Sequence, residues 1–116
     1  MYSNFNPAEP CFVAWTKPRQ LKTAQAQLES QGYQVAPLLE DHLLIQPSVG
    51  IGVTPARSTV GIKDLITQNG KFMVVNLQSL QEQGAQERLT TGNKEYRYIE
   101  LMCIMERDSR KMRKAA

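Results

Sequence analysis

Between Cys11 and Gly32 the chain reads CFVAWTKPRQLKTAQAQLESQG, and this stretch limits the fold more than any other. Cys11, Phe12, Val13, Ala14 and Trp15 form an apolar run of strand length. Thr16-Lys17-Pro18-Arg19 follows, and proline suits the first helical position, where its missing N–H would have no partner. That makes Thr16 or Lys17 the N-cap, Thr16 being the better side-chain acceptor. Leu21, Ala24 and Leu28 recur at i, i+3 and i+7 as one narrow apolar stripe, and Gly32 supplies the stop. The stretch therefore predicts a buried strand, a tight basic turn and an amphipathic helix.

A chain of 116 residues can close one core but not two, so a single domain is expected. Its net charge of +3 is compatible with a nucleic-acid partner without demanding one. No leader peptide and no apolar run near 18 residues is read in it, which places it in the cytoplasm, away from membranes. Cys11 and Cys103 both sit in apolar runs and read as reduced, small hydrophobic residues.

Residues 1–10 hold two prolines and no periodicity, and are read as a flexible leader. Tyr33 to Leu39 alternates as a half-buried strand that Pro37 confines to an edge or bend. Glu40-Asp41-His42 reads as a polar hinge and Leu43-Leu44-Ile45 as a further strand. Thr54-Pro55 starts a short helix that Gly61 ends. Asn69-Gly70 between two apolar runs is a strong hairpin signal. Asn76 is expected to cap a helix that stops at Gly84, with 85–92 as a linker. Residues 93–116 lack Pro and Gly, and Tyr98, Leu101, Met102, Met105 and Met112 fall at helical spacing; a strand over Tyr96–Met105 is the alternative. The resulting order predicts an α+β fold, an antiparallel sheet sandwiched by helices, with an extra helix at the C-terminal end.

Catalysis finds little support. His42 is the only histidine, and beside Glu40 and Asp41 it reads as a solvated surface residue rather than a general base. The remote cysteines and histidine fit no zinc spacing, Gly50 and Gly52 lack the rest of a phosphate loop, and no nucleophile stands beside a base. A non-enzyme without cofactor or metal is expected. Binding chemistry is richer. Lys17, Arg19 and Lys22 surround the first helix's N-terminus, where backbone N–H groups and the dipole favour phosphate, and Gln20 and Gln27 offer donor and acceptor to a base edge. Arg57-Ser58-Thr59 is a second polar cluster. Arg107, Arg110, Lys111, Arg113 and Lys114, interleaved only with Glu106 and Asp108, form either a solvated helix face or a track for a phosphate backbone.

The run from Phe12 to Val35 resembles the opening of the N-terminal domain of NusG-type transcription elongation factors, and most nearly the specialised antiterminator branch typified by RfaH. Pro37-Leu-Leu-Glu-Asp-His-Leu-Leu-Ile-Gln46 lies where that family has Pro-Leu-Phe-Pro-x-Tyr-Leu-Phe-Val. Arg57-Ser-Thr-Val-Gly-Ile62 is similar to its Arg-x-Thr-x-Gly-Val segment, and Asn69 to Leu80 to its last loop and helix. The likeness covers about residues 11–85, making 11–92 the family-like domain and 93–116 an extension.

This resemblance implies a factor that binds the clamp helices of the largest RNA polymerase subunit and suppresses pausing. It assigns the polymerase contact to Trp15, Leu39, His42, Leu43 and Leu44. It matches Lys17 and Gln20 to a contact with non-template single-stranded DNA and sets Arg57 near another basic site; with Arg19 and Lys22 of the basic cluster above, these make the expected DNA contact. A basic groove with flat platforms is also what single strands favour on physical grounds. The chain departs from the family where Glu40-Asp41 replaces apolar contacts, in lacking the long hairpin between the second and third strands, and in having 93–116 where the family has its KOW barrel. Tyr98, Leu101, Met102 and Met105 are accordingly expected to mask the polymerase face, within one chain or across a homodimer, or else to complete the core. The alternative from another class is a non-catalytic α+β interaction or ligand-binding domain, dimeric, sharing only the fold.

Overall fold

Alternation along two central strands decides the architecture. The computed structural model describes residues 4–48 and 50–115, with backbone alone at 83 and 113–115. Strand β1 (Cys11–Thr16) leads into helix α1 (Leu21–Ser30) and strands β2 (Gln34–Leu39) and β3 (His42–Gln46). A 3-10 turn (Thr54–Ser58) precedes β4 (Ile62–Leu65) and the short strands β5 (Thr67–Gln68), β6 (Lys71–Phe72) and β7 (Val74–Val75). Helices α2 (Leu77–Gln81), α3 (Gln83–Thr90) and α4 (Lys94–Ala115) complete the chain. The fold is α+β, as expected: an antiparallel sheet ordered β2-β3-β1-β4, with β7 pairing with β1 as well.

Val13 lies opposite Leu44, and Trp15 opposite His42, so these side chains share one side of the sheet. Val13 and Leu44 pack there with Leu77, Leu80, Leu89, Leu101, Ile104 and Met105 from α2, α3 and α4. Ala14, Leu43 and Ile45 point to the other side, onto Ala24 and Leu28 of α1. The sheet is thus covered by helices on both sides, and β3, central and doubly covered, is buried along its whole length.

Local chemistry explains most boundaries. At the end of α1 the Gly32 N–H donates to Glu29 O and the Tyr33 N–H to Leu28 O, the paired bonds of a Schellman stop, with Gly32 at φ 99°. Asn69 and Gly70 both take positive φ, as a type I′ hairpin between β5 and β6 requires. Asn93 caps α4 by accepting the Tyr96 N–H on its Oδ1 at 3.0 Å.

Three expectations are corrected. Pro18 does not begin α1. The Gln20 N–H bonds back to Lys17 O at 3.1 Å and Arg19 sits at φ 63°, so residues 17–20 form a turn with Pro18 at its second position. Proline is favoured in both settings, and the Thr16 hydroxyl that would have capped the helix donates instead to Asp41 O at 3.1 Å. Over residues 4–10 the expected loose leader is packed: Phe5 is buried, and the buried Gln46 amide accepts from Asn6 N–H and donates to Asn6 O and Glu9 O. Gly84 stops no helix. The break falls at Glu82, and the supposed linker is largely α3, held by Ala85 and Leu89 one turn apart on the core.

Candidate functional site

The ends of β1 and β3 meet the start of α4 at an apolar cleft of about 390 Å³, lined by Trp15, Leu39, Asp41, His42, Lys94, Glu95, Tyr98 and Ile99. Two β-bulges shape it. Ala36 pairs with Leu44 and Leu39 with His42, so β2 carries one residue more than β3 over this span. The extra residue reverses the alternation and brings Leu39 to the same side as His42. On the other flank Trp15 pairs with Asp64 and Thr16 with Ile62, which leaves Lys63 as the extra residue of β4. Its ammonium lies 4.2 Å from the centroid of the Trp15 ring, a cation–π contact that the sequence did not suggest.

His42 is not a solvated hinge residue. It is 3% exposed, its Nδ1 lies 2.8 Å from Asp41 Oδ1, and its ring is 5.5 Å from that of Tyr98. Burial, the largest influence, together with the Lys94 ammonium, pushes the imidazole below its ordinary value against the raising effect of Asp41. It is therefore neutral at pH 7, which makes Nδ1 the donor to Asp41 and leaves Nε2 as the acceptor. Burial also raises the Asp41 carboxyl, but the imidazole, the Lys94 ammonium and its hydrogen bonds outweigh this and hold it below the usual carboxylate range.

The first turns of α4 reach over the cleft by ion pairs. Arg97 Nη2 is 3.2 Å from Glu40 Oε1, and Lys94 Nζ is 3.6 Å from Asp41 Oδ2 and 4.0 Å from Glu40 Oε2. The two acidic residues that departed from the expected apolar pattern are thus the anchors of this helix start. Trp15, Tyr96, Tyr98 and Ile99 remain exposed around it, at 42–68%.

Of the five residues expected at the partner contact, Trp15, Leu39 and His42 line the cleft and two do not. Leu43 points to the α1 side of the sheet, since neighbours along a strand cannot share a face with His42. Leu44 is on the right side but fully buried beneath α4. Of the five expected at a nucleic-acid contact, Lys17, Arg19 and Lys22 are exposed around the α1 start and Gln20 is partly buried. Arg57 stands apart: its guanidinium donates two hydrogen bonds to Asp64, at 2.9 and 3.3 Å, and lies over the Phe72 ring. That pairing holds the Asp64 carboxyl below its ordinary value.

Cys11 and Cys103 are both free; burial pushes the Cys11 thiol to about 12, while Cys103 is exposed on α4 rather than packed as a hydrophobic residue. No described helix is long and apolar enough to cross a membrane. Compared with protein-family models and with curated proteins, the chain matches none.

Proposed function

We propose that this chain is a transcription elongation or antitermination factor of the NusG type, docking on the clamp helices of RNA polymerase through the Trp15 cleft. The observation that carries the reading is the convergence of Trp15, Leu39 and His42 from three strands on one apolar, partly open cleft. An aromatic floor ringed by charge suits the apolar flank of a partner helix. Lys17, Arg19 and Lys22, one turn beyond Trp15, offer cations to a displaced DNA strand, and Gln20 offers a polar group beside them. Arg57, already satisfied by Asp64, contributes least. In this reading the Lys94–Arg97 clasp regulates access: the start of α4 narrows the cleft, and the partner must share or displace it.

The test is capture of a clamp-helix fragment of bacterial RNA polymerase by the full chain. Trp15→Ala is expected to abolish capture without unfolding the domain, because this side chain is 42% exposed. Breaking the clasp with Lys94→Glu and Arg97→Glu is expected to strengthen capture. If neither the wild type nor the clasp variant binds, the transcription reading fails and an interaction domain of another kind remains.

A further inference from the structure

The outward side of α4 carries a seam that the rest of the fold leaves uncovered. Leu101, Ile104, Met105 and Asp108 are buried against the core. At about 3.6 residues per turn, the line opposite them runs through Tyr96, Ile99, Cys103, Glu106 and Arg110. These positions alternate by three and four, the spacing of a coiled-coil seam, and all of them are exposed, Tyr96 at 68% and Ile99 at 57%. We infer that a second copy of this chain covers the seam, with its α4 antiparallel to the first and the two Cys103 residues meeting on the two-fold axis.

Charge selects both the partner and the register. Glu95 and Arg110 lean to one flank of the seam, and Glu100, Arg107 and Lys111 to the other. A two-fold axis at right angles to two antiparallel helices brings like flanks together, end for end. With the axis at Cys103, Glu95 lies about 12 Å to one side of it and Arg110 about 10 Å to the other, so Glu95 meets Arg110 of the second copy. Glu100 and Arg107, about 4 and about 6 Å from the axis, meet in the same way. The groups are available for this. Among the described residues, Glu95 and Lys111 have no opposite charge within 4.0 Å. Arg107 stands 3.7 Å from the inward-turned Asp108, and Glu100 gives only Oε1 to Arg88. A parallel pair would set Glu95 and Glu100 against their own copies. An axis moved to Ile99 would set the two Glu100 residues against each other. Like-charge repulsion disfavours both.

An ordinary solvated helix face accounts for less. The helix dipole favours Glu95 in the first turn and cations in the last, but it does not set Tyr96, Ile99 and Cys103 on one exposed line opposite the core. A single exposed apolar residue needs no explanation; three in succession along a seam form a patch. In the antiparallel pair this patch is covered by the second copy. Ile99 packs on the aliphatic stems of its Glu106 and Arg107, and its Lys111 ammonium reaches the Tyr96 ring.

Glu95 and Ile99 also border the cleft, but the inference does not depend on the polymerase reading and is tested without polymerase. The experiment is sedimentation velocity of the full chain from about 5 to about 500 μM, with a short bis-maleimide cross-linker applied in parallel. Cys11 is buried and its thiol pushed to about 12, so it stays unreactive and a cross-linked dimer reports Cys103. Expected are a concentration-dependent dimer and a cross-link that Cys103→Ser abolishes. Ile99→Arg should weaken the dimer at least about tenfold. Glu95→Arg should weaken it roughly fivefold, since the pair occurs twice, and adding Arg110→Glu should restore it. A monomer at every concentration, a dimer without the Cys103 cross-link, a dimer that Ile99→Arg leaves unchanged, or a Glu95→Arg defect that Arg110→Glu does not relieve would each overturn the inference. All of these variants replace exposed side chains, and circular dichroism confirms that each stays folded.

Discussion

The two halves of α4 share one continuous backbone and meet the rest of the molecule in different ways. Residues 94–99 touch it through ion pairs at the rim, Lys94 exposed and Arg97 half-buried, and a tilted contact between Tyr98 and His42, over a cleft that stays partly open. Residues 101–109 are part of the core: Leu101, Ile104 and Met105 are buried, and Asp108 and Ser109 bond the segment that leads into α2. The expectation that this helix either masks a face or completes the core thus divides along its length. Completion holds for the second half, and removing residues 93–116 would open the core rather than expose a site. Only the first two turns are free to yield. Mutation should separate the halves sharply. Leu101→Ala is expected to cost about 2–5 kcal/mol in urea unfolding, the range for emptying a packed leucine site. Lys94→Gln with Arg97→Gln should cost about 1 kcal/mol, since the carboxylates they meet stand at the solvent rim and Arg97 itself is only half-buried. Equal losses would mean that the helix is held evenly and that its start is no clasp.

A smaller effect sharpens the boundary of the second half. Asp108 supplies, from α4, the acceptor that α2 lacks at its own start, where the Asn76 side chain makes no capping bond. Asp108→Ala leaves the Asn76 N–H and the Ser79 hydroxyl without their acceptor, and should cost about 1–3 kcal/mol. Hydrogen exchange should locate the loss in residues 74–81. Exchange that rises instead over 94–99 would mean that Asp108 holds the whole helix and that the two halves are not independent.

How far all this was legible in the sequence follows from the kind of signal each feature leaves. The Asn69-Gly70 turn, the Gly32 stop and the Leu21–Ala24–Leu28 stripe are local signals and appear where expected. The missed features depend on partners remote in sequence. Asp108 reads as a surface acid until it is seen that α2 needs an acceptor, and Phe5 looks stranded among prolines until Gln46 is found holding its loop. Ala85 and Leu89, with few apolar neighbours, were too weak a pattern to outweigh Gly84. At the cleft, Trp15, Leu39 and His42 were named from a resemblance, but alternation could have excluded Leu43 at once. The bulges that aim Leu39 and Lys63 leave no mark in composition, because they exist only in the pairing of strands.

Acid offers the gentlest test, acting on the first half alone. His42 is the chain's only histidine, so between pH 7.5 and 5.5 it dominates the side-chain response. Its folded value lies below the ordinary 6.5, because burial and Lys94 oppose the charged ring more than Asp41 favours it. As pH falls through 6.5 the unfolded chain binds the proton first, so stability present above that value is lost on acidification. The Tm should therefore decline over this range, and the decline should vanish in His42→Gln. Lys94→Gln, which removes a cation facing the ring, should make it shallower. The second half holds no histidine, so exchange protection at Leu101–Met105 should change only with the global Tm, while Tyr98 and Ile99 lose protection earlier. A Tm that holds or rises on acidification would mean that Asp41 gains more from a charged ring than burial costs. The clasp would then tighten in acid, and His42 would bind the two halves of α4 into one unit.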